Sequence, residues 1–160
     1  RKPILLEPKA LLTEASKMPG LDGLKMSKSY QNTLALRETP ESISQKIRKM
    51  PTDPARVRRT DPGDPEKCPV WQLHEVYSDG STKQWVQDGC KSAGIGCIQC
   101  KEPIIQAVTD ELAPMRERAA MYTDNPALVR KIIDQGCDRA RAMANDTMKD
   151  VRKHMGLDYS

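Results

Sequence analysis

A short segment near the amino end combines two lysines with two serines, in the order Lys25-Met26-Ser27-Lys28-Ser29. Gly20 and Gly23 precede it, and glycine allows backbone conformations that other residues rarely adopt. Lysine ammonium groups on a flexible loop are mobile point charges that suit phosphate groups. The segment therefore predicts a phosphate-handling loop, and a solvated surface loop is the alternative for any lysine-rich stretch.

Four of the five cysteines form a second candidate site with the pattern Cys-x21-Cys-x6-Cys-x2-Cys, at Cys68, Cys90, Cys97 and Cys100. The close pair follows two glycines, where the backbone can fold round a metal ion. Four thiolates suit either tetrahedral zinc or an iron-sulfur cluster, although zinc modules usually carry two close pairs. Disulfides are disfavoured because the chain looks cytosolic. Cys137, alone in the last predicted helix, is interpreted as a small buried hydrophobic residue.

The composition favours a mainly helical fold. Among 160 residues phenylalanine is absent and aromatic residues make up 4%, so the interior must be built from Leu, Ile, Val, Met and Ala. A net charge of +4 is too mild to indicate a nucleic-acid-binding protein by itself. Basic residues are nevertheless concentrated between residues 44 and 60, where they could attract a polyanion or form a solvated helix face.

No apolar run approaches the length of a membrane span, and no signal-peptide pattern opens the chain, so we expect a cytoplasmic protein. The sequence starts at Arg1 in the middle of a pattern. We expect it to be a piece of a longer protein.

Apolar spacing and capping residues predict five helices. Thr39-Pro40 and Asn125-Pro126 each pair a cap with a proline at the first helical position, and Ser81 with Gln84 suggests a capping box. The predicted helices cover about 40–50, 69–78, 82–92, 98–121 and 126–155. Two short strands are predicted within residues 3–13, and the five prolines from 51 to 69 predict a connector.

The order Lys-Met-Ser-Lys-Ser is the second of the two motifs of class I aminoacyl-tRNA synthetases. The segments around it resemble the bacterial tryptophanyl-tRNA synthetase family over nearly the whole chain. They are Pro8-Lys-Ala-Leu-Leu-Thr13, Gly20-Leu-Asp-Gly23, Tyr30, Thr60-Asp-Pro-Gly63, Pro65-Glu-Lys-Cys-Pro-Val-Trp71 and Leu112-Ala-Pro-Met-Arg-Glu-Arg118.

The resemblance implies a division at about residue 35. Residues 1–35 would be the carboxyl-terminal edge of a Rossmann-type catalytic domain, and residues 36–160 a helical anticodon-binding domain. It also implies an enzyme that activates tryptophan with ATP and Mg²⁺ and transfers it to tRNA(Trp), as a homodimer without a membrane or DNA partner. Weak candidates for tRNA phosphate contacts are basic residues of the last two helices: Arg116, Arg130, Lys131 and Arg139.

In such enzymes the loop closes over ATP, and its lysines stabilise charge that builds up on pyrophosphate. The resemblance implies leaving-group roles for Lys28 first and Lys25 second, hydrogen bonds from Ser27 and Ser29, and a supporting role for Met26. The other class I motif, His-x-Gly-His, does not occur in the sequence. We therefore expect the 160 residues to be inactive alone, and we interpret His74 and His154 as helix-surface or partner residues.

The resemblance also favours iron over zinc. A subset of bacterial tryptophanyl-tRNA synthetases binds a 4Fe-4S cluster through the same cysteine pattern with one more residue in the long gap. It implies a 4Fe-4S cluster held by Cys68, Cys90, Cys97 and Cys100, with zinc as the alternative. The competing hypotheses for function are a free-standing helical RNA-binding or redox-sensing module that has lost catalysis, and a zinc-stapled interaction domain.

Overall fold

The structure is a computed structural model that describes residues 4–13 and 15–157. The described residues contain five α-helices, α1 (Pro40–Lys49), α2 (Pro69–Tyr77), α3 (Gly80–Lys91), α4 (Cys97–Thr123) and α5 (Pro126–Met155), and two short 3-10 turns at Lys28–Tyr30 and Pro65–Lys67. No strand occurs among them, and the only extended pairing there is one antiparallel bridge between Pro19 and Lys25. The mainly α class predicted from composition is confirmed.

The two strands expected near the amino end do not form in the described part of that segment. Residues 4–13 have no regular secondary structure, and their large apolar side chains are exposed, Leu11 at 99% and Leu6 at 92%. Pro3 and Glu14 lie outside the described residues. Short apolar runs indicate a strand only where a neighbouring strand can pair with them, which explains the error.

The chain divides into two compact units, Leu12–Ala119 and the combination of Arg1–Leu11 with Ala120–Ser160. The domain boundary predicted at about residue 35 stays a prediction. No described helix is long and apolar enough to cross a membrane.

The core of Leu12–Ala119 forms where α1, α2 and α4 present apolar stripes. Its buried side chains are Ile43, Ile47, Met50, Val70, Leu73, Ile104, Ile105, Val108 and Leu112. A smaller cluster of Trp71, Val86 and Ile95 lies beside α3, and Cys68 and Cys100 pack against both clusters. The cysteines therefore join the two cores.

Capping explains where the helices begin and end. Thr39 accepts a hydrogen bond from the Ser42 amide at the start of α1, and Asn125 accepts one from the Leu128 amide at the start of α5. Gly156, with φ of 70°, ends α5. The predicted capping box is wrong at α3, because Asp79 accepts from the Thr82 amide and Gly80 is already helical.

Two prolines, Pro103 and Pro114, lie inside α4 beyond its first turn. Each removes one backbone donor from the helix. The described part of α5 contains no buried residue, so its predicted apolar stripe is exposed, with Ile133 at 55% and Met143 at 72%.

Candidate functional site

The lysine-serine segment forms a small ordered hairpin. The Gly20 amide donates to the Leu24 carbonyl at 2.5 Å, and the Met26 amide donates to the Met18 carbonyl at 3.0 Å. At the turn, Gly23 has φ of 83°, a conformation that glycine adopts without steric cost. Backbone hydrogen bonds therefore hold the segment in its hairpin shape, and the lysine side chains take no part in these bonds.

Asn32 is the residue that organises this hairpin. It is 2% exposed, and its side-chain Nδ2 donates to Asp22 at 2.7 Å and to the Lys25 carbonyl at 3.1 Å, while its Oδ1 accepts from the Ser27 amide at 2.7 Å. The hydrogen bond from Asn32 is the main cause that lowers the pKa of Asp22. The sequence analysis missed Asn32, because no regular element or motif position marks it.

Both lysines of the segment are exposed and make no ion pair within the described part of the chain. Ser27 caps the short turn Lys28–Tyr30 by accepting from the Ser29 amide at 3.3 Å. Exposed, unpaired ammonium groups on an ordered backbone can approach a polyphosphate without first breaking a salt bridge. This is the arrangement that a loop acting on a departing phosphate needs.

The hairpin packs directly on the start of α2. A Cβ placed on Gly23 would lie 2.8 Å from Cγ of Pro69 and 3.6 Å from Cγ of Pro51. Pro69 follows Cys68 in sequence. The lysine hairpin and the first cysteine are thus neighbours on either side of one proline.

The four cysteines line one cavity, together with Thr52, Asp53, Arg56 and Val70. Cys68 precedes α2, Cys90 lies in the last turn of α3, and Cys97 and Cys100 lie in the first turn of α4. All five cysteines, including the partly exposed Cys137, are free thiols. Three helix ends thus bring the predicted set of sulfurs together, and their donor chemistry suits a soft metal centre.

The thiols are not, however, arranged as a finished metal site. Within residues 4–13 and 15–157, no group of three or more His, Cys, Asp or Glu side chains is placed to hold a metal ion. The predicted cluster ligation is therefore not shown by this structure. Burial raises the pKa of the Cys100 thiol to about 12, with a further increase from the sulfurs of Cys68, Cys90 and Cys97.

His74 is fully buried beside Cys100, so the interpretation of His74 as a helix-surface residue is wrong. Its Nε2 lies 3.0 Å from the carbonyl oxygen and 3.3 Å from the Sγ of Cys100, and its Nδ1 lies 2.8 Å from the Ser78 hydroxyl. A carbonyl only accepts, so Nε2 carries the proton and Nδ1 accepts from Ser78. Burial lowers the pKa of His74 to about 4. His154 lies on the exposed surface of α5.

Two buried cations also surround the sulfurs. The Arg56 guanidinium donates to the Arg59 and Ile95 carbonyls at 2.9 and 2.7 Å, and its Nη1 lies 3.9 Å from Cys90 Sγ. Lys101 donates to the Arg48 and Met50 carbonyls at 2.8 and 2.6 Å. Burial is the main cause that lowers the pKa of Lys101, against which nearby sulfurs raise it. Neither side chain was singled out in the sequence.

The four basic residues suggested for tRNA do not share one environment. The Arg116 guanidinium is half-buried and donates to the Glu38 and Thr109 carbonyls, both at 3.2 Å. Its charge is therefore engaged in joining α4 to the residues before α1. The other three, Arg130, Lys131 and Arg139, are exposed on α5. A contact with tRNA stays a prediction for all four.

The known proteins that are similar to this chain are aminoacyl-tRNA synthetases. The family model described as tRNA synthetases class I (W and Y) matches residues 1–113. Among curated proteins, a tryptophan–tRNA ligase from Ralstonia nicotianae is 63% identical over 160 residues, which are 100% of this chain and 40% of that protein. One from Deinococcus radiodurans is 47% identical over 153 residues, which are 94% of this chain and 46% of that protein.

A solved structure is similar as well. The crystal structure of tryptophanyl-tRNA synthetase from Campylobacter jejuni complexed with ADP and tryptophan matches with a TM-score of 0.73 and 28% identity, over 96% of this chain and 48% of that one. The chain thus spans less than half the length of these relatives. Since the family model covers more than half of the chain and includes the lysine hairpin, the chain belongs to the class I tRNA synthetases of the tryptophan and tyrosine group.

Proposed function

We propose that this chain is the carboxyl-terminal part of a cytoplasmic tryptophan–tRNA ligase. In that enzyme tryptophan is activated with ATP and Mg²⁺ and is then transferred to tRNA(Trp). The observation that carries the proposal is a pair of exposed lysines on an ordered hairpin, Lys25 and Lys28, that form no ion pair with any residue the structure describes, in a chain 63% identical to the Ralstonia nicotianae enzyme. The missing first motif and the tryptophan pocket would lie in the remainder of the protein.

The proposed chemistry assigns charge stabilisation to the hairpin. During activation the tryptophan carboxylate attacks the α-phosphorus of ATP, and the bond to the pyrophosphate oxygen breaks. Negative charge then builds up on pyrophosphate, where Lys28 first and Lys25 second stabilise it. The hydroxyls of Ser27 and Ser29 donate to phosphate oxygens, and Met26 supports the loop through its backbone hydrogen bond to Met18.

The helical remainder of the chain is proposed to bind tRNA. The exposed cations of α5, Arg130, Lys131 and Arg139, provide sequence-independent phosphate contacts. Arg116 is a weaker candidate, since its guanidinium already donates to two carbonyls of its own unit. The proposed assembly is a homodimer.

The cysteine cavity is proposed to hold a 4Fe-4S cluster through Cys68, Cys90, Cys97 and Cys100, which would place the protein in the iron-sulfur-binding subset of its family. Support comes from the four sulfurs around one cavity and from their one close pair. When bound, the cluster would staple α2, α3 and α4 together and could exchange one electron. A zinc ion held by the same four thiolates is the alternative.

The decisive experiment measures tryptophan activation in the full-length enzyme with Lys28→Ala. We expect adenylate formation in a single turnover to slow about a hundredfold, with little change in tryptophan binding, because one transition-state contact is lost. Lys17→Ala is the matched control, since Lys17 is an exposed lysine just before the hairpin and outside the motif. An unchanged single-turnover rate in Lys28→Ala would refute the assigned role.

A further inference from the structure

The two buried cations beside the cysteines lack carboxylate partners. Arg56 is 8% exposed and Lys101 is 2% exposed, and no carboxylate in the described part of the chain lies within ion-pair distance of either. Each is held only by carbonyl oxygens, apart from the Arg56 contact with Cys90 Sγ, and the Arg56 Nε is buried with no partner. Buried charge is costly unless an opposite charge is near.

The side chains around the cavity supply only part of that opposite charge. Asp53 lines the cavity and is 4% exposed. Hydrogen bonds from the Asp64 and Ala55 amides are the larger causes that lower the pKa of its carboxyl, and Arg56 lies near enough for its charge to help lower this pKa. Arg56, Lys101 and Asp53 together carry a formal charge of +1. His74, which faces Cys100, is neutral in the tautomer described above. Within the cavity lining Arg56 and Asp53 balance each other, so the remaining positive charge is that of Lys101, which lies behind the lining and near the sulfurs of Cys97, Cys68 and Cys100. The groups left to balance it are the four sulfurs.

We propose that Arg56 and Lys101 are positioning residues that supply the fixed countercharges of an anionic four-thiolate centre at Cys68, Cys90, Cys97 and Cys100. This inference rests on the metal centre of the proposed function. Four thiolates around a 4Fe-4S core of charge 2+ or around Zn²⁺ both give a net charge of −2. The same two cations would therefore stabilise either an iron-sulfur cluster or a zinc ion. Their presence indicates that the centre is negatively charged, and it does not indicate which metal the centre contains.

The countercharges have a measurable effect on an iron-sulfur centre. One electron from dithionite reduces the core from 2+ to 1+, which changes the charge of the centre from −2 to −3. Nearby positive charge stabilises the more negative form, so it raises the reduction potential. Removal of one cation should favour the oxidised form about tenfold, which corresponds to about 59 mV for a one-electron couple.

The test uses the anaerobically purified full-length enzyme, with iron, sulfide and zinc contents measured first. Potentiometric titration then compares Arg56→Gln with Arg56→Lys and Lys101→Met with Lys101→Arg. Lys153→Met on α5 is the control for loss of an exposed lysine. We expect both neutral variants to lower the reduction potential by about 59 mV, which is a tenfold change in the equilibrium constant for reduction. The charge-retaining variants and the control should keep the wild-type potential. A merely structural role would not separate charge-retaining from neutral variants.

Each outcome has a distinct meaning. Wild-type enzyme without metal overturns the centre and the inference together. A complete cluster whose potential is the same in all variants overturns the countercharges and leaves the centre in place. If the neutral variants cannot assemble the centre but Arg56→Lys and Lys101→Arg can, the charge requirement is supported; failure of all four overturns it. If the metal is zinc, the reduction potential cannot be measured, and the rate of zinc release to a chelator is compared instead. We then expect the neutral variants alone to release zinc about tenfold faster than wild type. Equal release rates in all variants would overturn the inference.

Discussion

The Asn32 side chain donates a 2.7 Å hydrogen bond to the Asp22 carboxylate, which closes the lysine hairpin between two residues ten apart in sequence. The same side chain bonds to the backbone at Ser27 and Lys25. Because Asn32 is buried, these hydrogen bonds cannot be exchanged readily for water. The shape of the lysine hairpin therefore depends on a residue outside its motif.

Asn32→Ala should destabilise the protein by about 2 kcal/mol, because it removes three hydrogen bonds of a buried side chain and leaves the half-buried Ser27 amide without its acceptor. Chemical unfolding of the full-length enzyme measures the change. Gln106→Ala is the control: Gln106 is exposed and makes one side-chain bond, to Asp110, so its loss should cost less than about 0.5 kcal/mol. Equal stability of the two variants would show that Asn32 does not organise the hairpin.

Gly23→Ala should destabilise the hairpin by about 1–3 kcal/mol. The substituted Cβ would meet Pro69 Cγ at 2.8 Å, and the φ of 83° strains any L residue. Gly80→Ala is the matched control, since no atom lies within 4 Å of its Cβ position and Gly80 is in the first turn of α3. The control should be neutral or slightly stabilising. Thermal unfolding of both variants decides the prediction.

Glu38 gives the stability of the fold a pH dependence. Hydrogen bonds from Lys46 and Ser42 lower the pKa of its carboxyl to about 2. A depressed folded pKa stabilises the protein above the unfolded value, and this contribution is lost as pH falls from about 4.5 towards 2. Glu38→Gln should therefore be less stable than wild type by about 1 kcal/mol at pH 7, where Lys46 is partly solvated.

Unfolding curves of Glu38→Gln and wild type across acidic pH provide the measurement for that prediction. The stability difference should shrink steadily below pH 4.5. A difference that stays constant down to pH 2 would mean that folding does not lower the pKa of Glu38.

If the proposed metal centre is present, Cys100→Ser should remove the metal from anaerobically purified enzyme. It should also lower the thermal unfolding temperature, because Cys100 packs against both apolar clusters. Cys137→Ser provides the control, since Cys137 lies on α5, away from the cavity lining. Elemental analysis should find the wild-type metal content in the control. Full metal content in Cys100→Ser would exclude Cys100 as a ligand.

The helices and the lysine motif could be predicted because local signals define them. A cap followed by proline places the starts of α1 and α5 correctly, and three-and-four spacing identifies Ile104, Ile105 and Val108 as core residues. These features depend on residues within one or two turns of each other. Local information is sufficient for them.

The polar residues of the site could not be found in that way. Arg56 lies in an irregular connector and Asn32 beside a loop, so neither has a periodic signal, and only tertiary contacts show their burial. His74 and Lys101 did carry one: His74 follows Leu73 on the buried face of α2, and Lys101 precedes Ile104 and Ile105 by three and four residues. Helical position outweighs the usual preference of charged side chains for water when backbone acceptors are in reach.

The ring of Pro69 lies against the hairpin turn at Gly23, and Pro69 follows Cys68 directly in sequence. Substitutions at the cysteine segment and at the hairpin turn are therefore coupled through position 69. A homologue without these cysteines should keep a residue of similar shape at position 69 or carry compensating substitutions at the turn.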